Sequence, residues 1–312
     1  MKKIFKYLLW SFFAIFILFN IVTAFHAYKL THFYDNGSVV IKKKEDKSSW
    51  DTFKEILFGI NVAKQKNADV PDSTYQTVYI KTKDGIKLNA WHIKVDSAVG
   101  TVILFHGHAS NKTNIIYEAS AFRKMGYNTL LVDFRSHGSS EGNTCTIGYY
   151  ESEDVKLAYD FVKGEGEKNI VLWGISMGAA AITKSVSDYN IQPQKIILEM
   201  PFGSILSAVK GRIKMMNLPA QPLATFLTFW GGTENGFWAF NMKPSEFVKK
   251  ITCPTLLQWG KNDARVTQAE TDGIFKNIPT AKKLVVYENS GHESLQAKET
   301  EKWIYEVSNF LK

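Results

Sequence analysis

The chain has 312 residues, 45% of them hydrophobic, which is enough for one α/β domain of about 240 residues plus a leader. Its net charge of +8 is unevenly placed: residues 1–70 carry 11 Lys against 6 acids, and the remainder is nearly balanced. A basic excess confined to that end suits a membrane surface better than nucleic acid, and no zinc-knuckle spacing or basic helix interleaved with stacking aromatics argues for a nucleic-acid partner.

Lys2, Lys3 and Lys6 precede a run from Tyr7 to Phe25 that carries no charge. As a helix it crosses roughly 30 Å of hydrocarbon. Trp10 and Tyr28 are placed for the two interfaces. Val22-Thr23-Ala24 also resembles a signal-peptidase site, so a cleaved signal peptide is the alternative; the length of the apolar run favours a retained anchor. Three lysines before the span, against Lys29 alone soon after it, put the amino terminus in the cytoplasm and the rest of the chain outside the cytoplasmic membrane. Secretion after cleavage is the alternative location.

Residues 29–70 read as a connecting region. Lys42-Lys43-Lys44-Glu45-Asp46-Lys47 is a solvated charged run. Ser48 and Asp51 stand at capping-box spacing before Trp50, Phe53, Leu57 and Ile60, an apolar stripe at helical intervals. Packing on the chain's own domain is the favoured fate of that stripe, and insertion among lipid headgroups the other.

From Thr74 the pattern changes. Gln76–Thr82 and Lys87–Lys94 alternate around Asp84-Gly85 and predict a β-hairpin. Strands are then predicted at Thr101–Phe105, Asn128–Asp133, Ile170–Trp173, Lys195–Glu199, Thr255–Trp259 and Lys283–Tyr287. Helices fall between them at Asn114–Met125, Tyr150–Lys163, after Met177, at Gln268–Ile278 and at Glu299–Leu311. A hairpin followed by repeated βα units means a mostly parallel eight-stranded sheet with helices on both faces, whose ligands bind at the carboxyl ends of the strands. Cys145 and Cys253 fall at opposite edges of such a sheet, which argues against a bridge between them. Residues 203–247 interrupt the alternation. Ile205, Val209, Ile213 and Met216 recur at helical spacing there, and Leu223 to Trp230 and Phe237 to Phe240 are apolar. This small cap either closes the core or walls a site for an acyl chain. The predicted organisation is therefore an anchor or signal at 1–28, a linker at 29–70 and a catalytic domain at 71–312 with its cap inserted.

Gly174-Ile175-Ser176-Met177-Gly178 matches G-x-S-x-G between a β-branched run and an alanine-rich run. A strand before and a helix after are the context in which that motif holds a serine on a tight turn above the sheet edge. A serine hydroxyl needs a base, and the base an orienting acid. Asp263, in Gly260-Lys261-Asn262-Asp263, follows one predicted strand, and His292, in Gly291-His292-Glu293, follows the last. Both therefore arrive at the same sheet edge as Ser176, in the order Ser, Asp, His. Donors for a developing oxyanion are expected from the backbone N–H groups of Met177, at the helix start, and His108, after Gly107. His106-x-His108 lacks a third ligand at metal spacing, so no metal or organic cofactor is implied.

With His106-Gly107 and Asp133-Phe134-Arg135-Ser136-His137-Gly138-Ser139-Ser140, these motifs make residues 75–312 resemble the α/β-hydrolase superfamily. Within it the chain is similar to the serine aminopeptidase and lysophospholipase-like group of membrane-anchored bacterial hydrolases. That resemblance implies Ser176 as nucleophile, His292 as base, Asp263 as orienting acid, and His108 and Met177 as main-chain oxyanion donors. It implies a loop-bracing role for Asp133, Arg135 and His137, and it leaves Ser136 where many relatives have glycine. Glu199, at the end of another strand, is a substitute candidate for the acid. The expected activity is hydrolysis of an ester or thioester through an acyl-enzyme, on a small-molecule, hydrophobic or lipid-like acyl substrate. An aminopeptidase or acyltransferase with the same triad, and a membrane-tethered binding module without catalysis, are the alternatives. The aminopeptidase needs an acidic pocket, for which the cap offers Glu234 and Glu246 against Lys210, Arg212, Lys214 and Lys243.

Overall fold

The computed structural model describes residues 2–34 and 48–312, so the predicted charged run Lys42–Lys47 lies outside the described residues. In chain order the leader and connecting region contain α1 (Lys2–Thr31), β1 (Phe33–Tyr34), α2 (Ser49–Phe58) and β2 (Val62–Ala63). The main body runs β3 (Gln76–Lys81), β4 (Lys87–Ile93), β5 (Thr101–Phe105), α3 (Ile116–Lys124), β6 (Asn128–Val132), α4 (Glu151–Gly164), β7 (Ile170–Ile175), α5 (Met177–Tyr189) and β8 (Lys195–Glu199). The cap carries α6 (Ile205–Met215), α7 (Leu223–Glu234) and α8 (Pro244–Phe247). The chain closes with β9 (Thr255–Gly260), α9 (Gln268–Asn277), β10 (Lys282–Tyr287), α10 (Leu295–Lys298) and α11 (Thr300–Leu311).

Among the described residues the main sheet has eight strands in the order β3-β4-β6-β5-β7-β8-β9-β10. The hairpin β3-β4 and the β4-β6 pair are antiparallel, and the other pairs are parallel. This is the predicted mostly parallel sheet. β5 shows why it is covered twice. Its five residues are all buried, and successive side chains leave by opposite faces. Ile103 and Phe105 join Val155, Ala158 and Ile182 of α4 and α5, whereas Val102 and Leu104 join Phe122 of α3 and Trp303 of α11. Four such residues, Val102 to Phe105, at roughly 2 kcal/mol each for burying an aliphatic or aromatic side chain, make this strand central to stability.

α1 is 30 residues long, about 45 Å at the helical rise, and is long and apolar enough to cross a membrane. Most of it is exposed, but Thr23, Ala27 and Thr31, four residues apart, are buried. They form a seam of small side chains against α7, where Ala224, Leu227 and Thr228 are buried in turn. Small residues let two helix backbones approach closely. Phe226 of α7 meets the rings of Phe16 and Phe19 edge-on, at 6.0 and 5.0 Å.

The connecting region also engages the main body. Phe33 N–H donates to Asn143 O and Cys145 N–H to Thr31 O, each at 2.7 Å. Phe33 and Val62 belong to the main core, and Asn67 Nδ2 donates to Asp133 Oδ2 at 3.0 Å. α2 has the expected capping box between Ser48 and Asp51. Its apolar stripe does not pack on the domain as expected: Trp50, Phe53, Leu57 and Ile60 are all exposed. Met216 is exposed as well, as is Met215, the last residue of α6. Cys145 and Cys253 are buried, unpaired thiols.

Candidate active site

β7 runs on through Gly174 to Ile175, and α5 begins at Met177, so Ser176 alone makes the turn. It does so at φ 54° and ψ −112°, a left-handed conformation that a non-glycine residue adopts only when its surroundings impose it. Its N–H donates to Glu199 O at 2.8 Å. The flanking glycines are required by close packing. A methyl on Gly178 would lie 2.3 Å from Phe105 O, and one on Gly174 2.7 Å from the Gly178 carbonyl carbon. The helix start is thereby pressed against β5, with its dipole aimed at the serine.

His292 and Asp263 arrive on the turns after β10 and β9, which are adjacent in the sheet. Asn262 N–H donates to Ser290 O at 2.9 Å and ties the two turns together. Ser290 Oγ donates to Glu299 Oε1 at 2.8 Å, and Ser294 Oγ donates to Glu118 Oε1. His292 Nε2 lies 2.9 Å from Ser176 Oγ, and Nδ1 lies 2.7 Å from Asp263 Oδ2. The other carboxylate oxygen accepts from the N–H groups of Arg265 and Val266, at 2.7 and 2.9 Å. The Asp263 side chain is fully buried and that of His292 nearly so. A buried carboxylate held by three donors fixes the imidazole with Nδ1–H toward Asp263. Nε2 is left as the acceptor facing the hydroxyl. Such an arrangement can take a proton from Ser176 and stabilise the imidazolium that results.

The loop after β5 closes the other side. Gly107 packs against the turn, with the position of an added methyl 3.7 Å from Ser176 Cβ. His108 follows directly on this contact, and Met177 is the first residue of α5. The His108 ring meets Phe33 edge-on at 5.5 Å, and its Nδ1 lies 3.4 Å from Arg212 Nη1. Burial, then the charge of Arg212, hold this imidazole well below its usual pKa and so neutral. Burial pushes His106 down to about 3. Its Nε2 accepts from Phe134 N–H at 3.2 Å, which leaves Nδ1–H to donate to Gly107 O at 2.7 Å.

Asp133, Arg135 and His137 sit beneath this loop. Asp133 accepts from the N–H groups of Lys112 and Ser139, both at 2.8 Å, and pairs with the Lys112 ammonium. Arg135 is clamped by Glu153 and Asp154. His137 Nε2 accepts from Ala109 N–H at 3.3 Å while Nδ1 donates to Arg135 O at 2.8 Å. These bonds end in the loops and not at Ser176. Ser136 takes φ 67°, a glycine-like value, and its hydroxyl donates to Thr144 O at 2.7 Å, a bond glycine could not make. The Glu199 carboxyl points away from the imidazole. Its Oε1 accepts from Trp173 Nε1, Gln258 Nε2 and Trp303 Nε1 at 2.9, 3.0 and 2.6 Å.

Ser176, Asp263 and His292 are thus brought together as expected. Two features had no local signal in the sequence: the contact of Phe33 with His108, and the approach of Arg212 to the site. Both join segments some 75 to 105 positions apart, and neither lies in a motif.

Comparison with known proteins places residues 96–231 in a match to the family described as serine aminopeptidase, S33. YqkD of Bacillus subtilis is 26% identical over 231 residues, covering 73% of this chain and 76% of YqkD. The lysophosphatidylserine lipase ABHD12 of Danio rerio is 23% identical, covering 60% of this chain and 54% of its own. Among solved structures, the Pyrococcus furiosus esterase Pf2001 is similar with a TM-score of 0.68 and 25% identity, over 81% of this chain and 97% of the esterase.

Proposed function

Since the chain belongs to the α/β-hydrolase superfamily and is a hydrolase by its likeness to esterases, we propose that it cleaves carboxylic esters or thioesters through an acyl-enzyme on Ser176. In this reading His292 takes the hydroxyl proton as Oγ attacks the carbonyl carbon, then gives it to the leaving alcohol or thiol. A water, deprotonated by the same imidazole, releases the acid. Asp263 orients the imidazole, and the N–H groups of Met177 and His108 receive the oxyanion. The observation that carries the proposal is the continuous chain Asp263–His292–Ser176 at 2.7 and 2.9 Å.

The hydrophobic character of the substrate rests on the cap. An apolar cleft between α1, α6 and α7 is lined by Ala27, Leu30, Ile205, Val209, Leu227 and Phe237. A larger groove along Phe16, Asn20 and Trp230 lies on the outer side of α1, away from the serine. We take α1 as a membrane anchor with the hydrolase, about residues 71–312 with its 203–247 cap, on the extracytoplasmic side. Exposed Met215, Met216, Leu218, Trp50 and Phe53 suit a body lying against the lipid surface. The aminopeptidase reading is less well supported. Glu246 is paired with Lys249, and the cap side chain that reaches His108 is a cation. A substrate ammonium is poorly served there.

The test is labelling of the full-length chain in neutral detergent with a fluorophosphonate, followed by ester hydrolysis. Wild type should label and turn over, and Ser176→Ala should do neither. Folded wild type that resists the label would favour a non-catalytic binding module.

A further inference from the structure

Two arginines stand beside the His108 loop and the Asp263 turn and have no part in the chemistry proposed above. Arg212, in the last turn of α6, reaches over the loop after β5 to His108. Arg265 lies two residues beyond Asp263, and its N–H is one of the bonds that fix that carboxylate. Gly211 brings them together. A methyl there would fall 2.4 Å from Arg265 O, so the α6 backbone rests directly on the Asp263 turn.

The two charges feel one another. Crowding by surrounding protein, then the charge of Arg265, lower the Arg212 guanidinium from its usual pKa. Both charges also reach His108. Among the described residues neither arginine has an ion-pair partner, whereas Arg123 pairs with Asp72, and Arg135 with Glu153 and Asp154. Adjacent like charges repel, though solvent screens them in part, and a counter-charge relieves the repulsion. Both side chains keep solvent-exposed surface through which one could come.

We propose that Arg212 and Arg265 form an anion-binding subsite at the mouth of the catalytic cleft, and that the substrate is an ester bearing a carboxylate or phosphate. As a substrate subsite this rests on the Ser176 reading; as an anion site it does not. Guanidinium groups present paired N–H donors that match the oxygens of either anion. The apolar cleft beside α1, walled by Ile205 and Val209, and the cationic pair share helix α6. They suit an amphiphile with its chain in one and its charge on the other. The anion belongs either to a lipid head group or to a short free acid.

The full-length chain in neutral detergent separates these sources. The readout is the ratio of kcat/KM for a charged substrate to that for its uncharged match. One pair is mono-p-nitrophenyl glutarate against p-nitrophenyl valerate. The other is a lysolipid with an anionic head group against one with phosphocholine. Arg212→Gln and Arg265→Gln should lower the ratio about tenfold or more, as expected for a lost charge-assisted hydrogen bond. The effect should appear in the lysolipid pair for a head-group site and in the ester pair for a free-acid site. An unchanged ratio in both pairs overturns the proposal. Calorimetry of Ser176→Ala with the anionic lysolipid and with glutarate removes any dependence on turnover. Binding of either anion should weaken about tenfold when the arginines are replaced. If wild type hydrolyses nothing, the esterase reading falls and calorimetry alone decides. Anion binding indifferent to both arginines overturns the subsite.

Discussion

The indole of Trp230 donates to Asn20 Oδ1 at 3.3 Å, so a cap helix is hydrogen-bonded to the middle of the apolar amino-terminal helix. A polar side chain on an apolar span is costly unless it finds a partner. Interhelical hydrogen bonds of this kind are worth about 0.6–1.7 kcal/mol within a membrane. Trp230→Phe keeps most of the apolar surface and removes the donor. It should destabilise the chain in detergent by about 1 kcal/mol. Faster proteolysis of the 216–222 connection should accompany that loss. Unchanged melting and unchanged proteolysis would show that the cap does not depend on the anchor through this bond.

Phe33 gives a second link between the leader and the site. It is buried against the rings of His108 and His137, at 5.5 and 4.9 Å. Phe33→Ala should cost about 3 kcal/mol or more in stability, as truncation of a buried aromatic does. The wall behind His108 would be removed as well, and displacing catalytic groups by about 1 Å can cost up to 10²-fold in rate. Ester turnover should therefore fall at temperatures where circular dichroism still reports a folded chain. A variant with normal turnover would mean that the leader only tethers the enzyme.

The fold and the serine, histidine and aspartate were legible because each depends on short-range pattern. β8 could be bounded at Lys195 and Glu199 from its apolar run alone, and Ser176, Asp263 and His292 each follow a strand. The strand before Ser176 was read two residues short, since glycine is a poor strand former; here Gly174 stays in β7 because α5 packs on it. The stripe on α2 was read as a packing face, but periodicity records only that a face is apolar, not what covers it. The Arg212–Arg265 approach depends on how α6 crosses another turn, and no local spacing encodes that crossing.

Gly178→Ala tests the turn itself. Its methyl would be placed 2.3 Å from Phe105 O, a backbone atom in the central strand that cannot swing aside. Overpacking a core costs about 1–3 kcal/mol, and more where backbone must move. The variant should be expressed mainly as insoluble protein or melt well below wild type. Wild-type stability would mean that α5 does not pack against β5 in this way.

Glu199 provides a pH test remote from the chemistry. Burial first, then the charge of Glu118, push its carboxyl from 4.5 up to about 8. The folded state therefore holds a proton that the unfolded chain releases between those values. Stability from this group is complete below 4.5, declines as pH rises, and is lost by about 8. Glu199→Gln mimics the protonated form, with its amide oxygen placed to accept from Trp173, Gln258 and Trp303. The variant should melt close to wild type at pH 4.5 and above it at pH 8. Parallel melting curves across that interval would show that the carboxyl is already ionised in the fold.

Asp263→Asn separates orientation from nucleophilicity. The asparagine fits the same space, but its amide cannot both accept from the Arg265 and Val266 N–H groups and accept from His292 Nδ1–H as the carboxylate does. The imidazole is then drawn toward the other tautomer, with Nε2–H facing Ser176 and no lone pair to receive its proton. In a serine triad of this kind the loss in kcat is about 10⁴-fold with little change in structure. Fluorophosphonate labelling should slow in proportion without vanishing, because Ser176 and the proposed oxyanion donors remain. Raising pH should not restore the rate, since the defect is the wrong tautomer and not a protonated base. If the variant keeps a tenth or more of wild-type kcat, Asp263 is not the residue that orients His292, and the proposed catalytic chain is broken at that link.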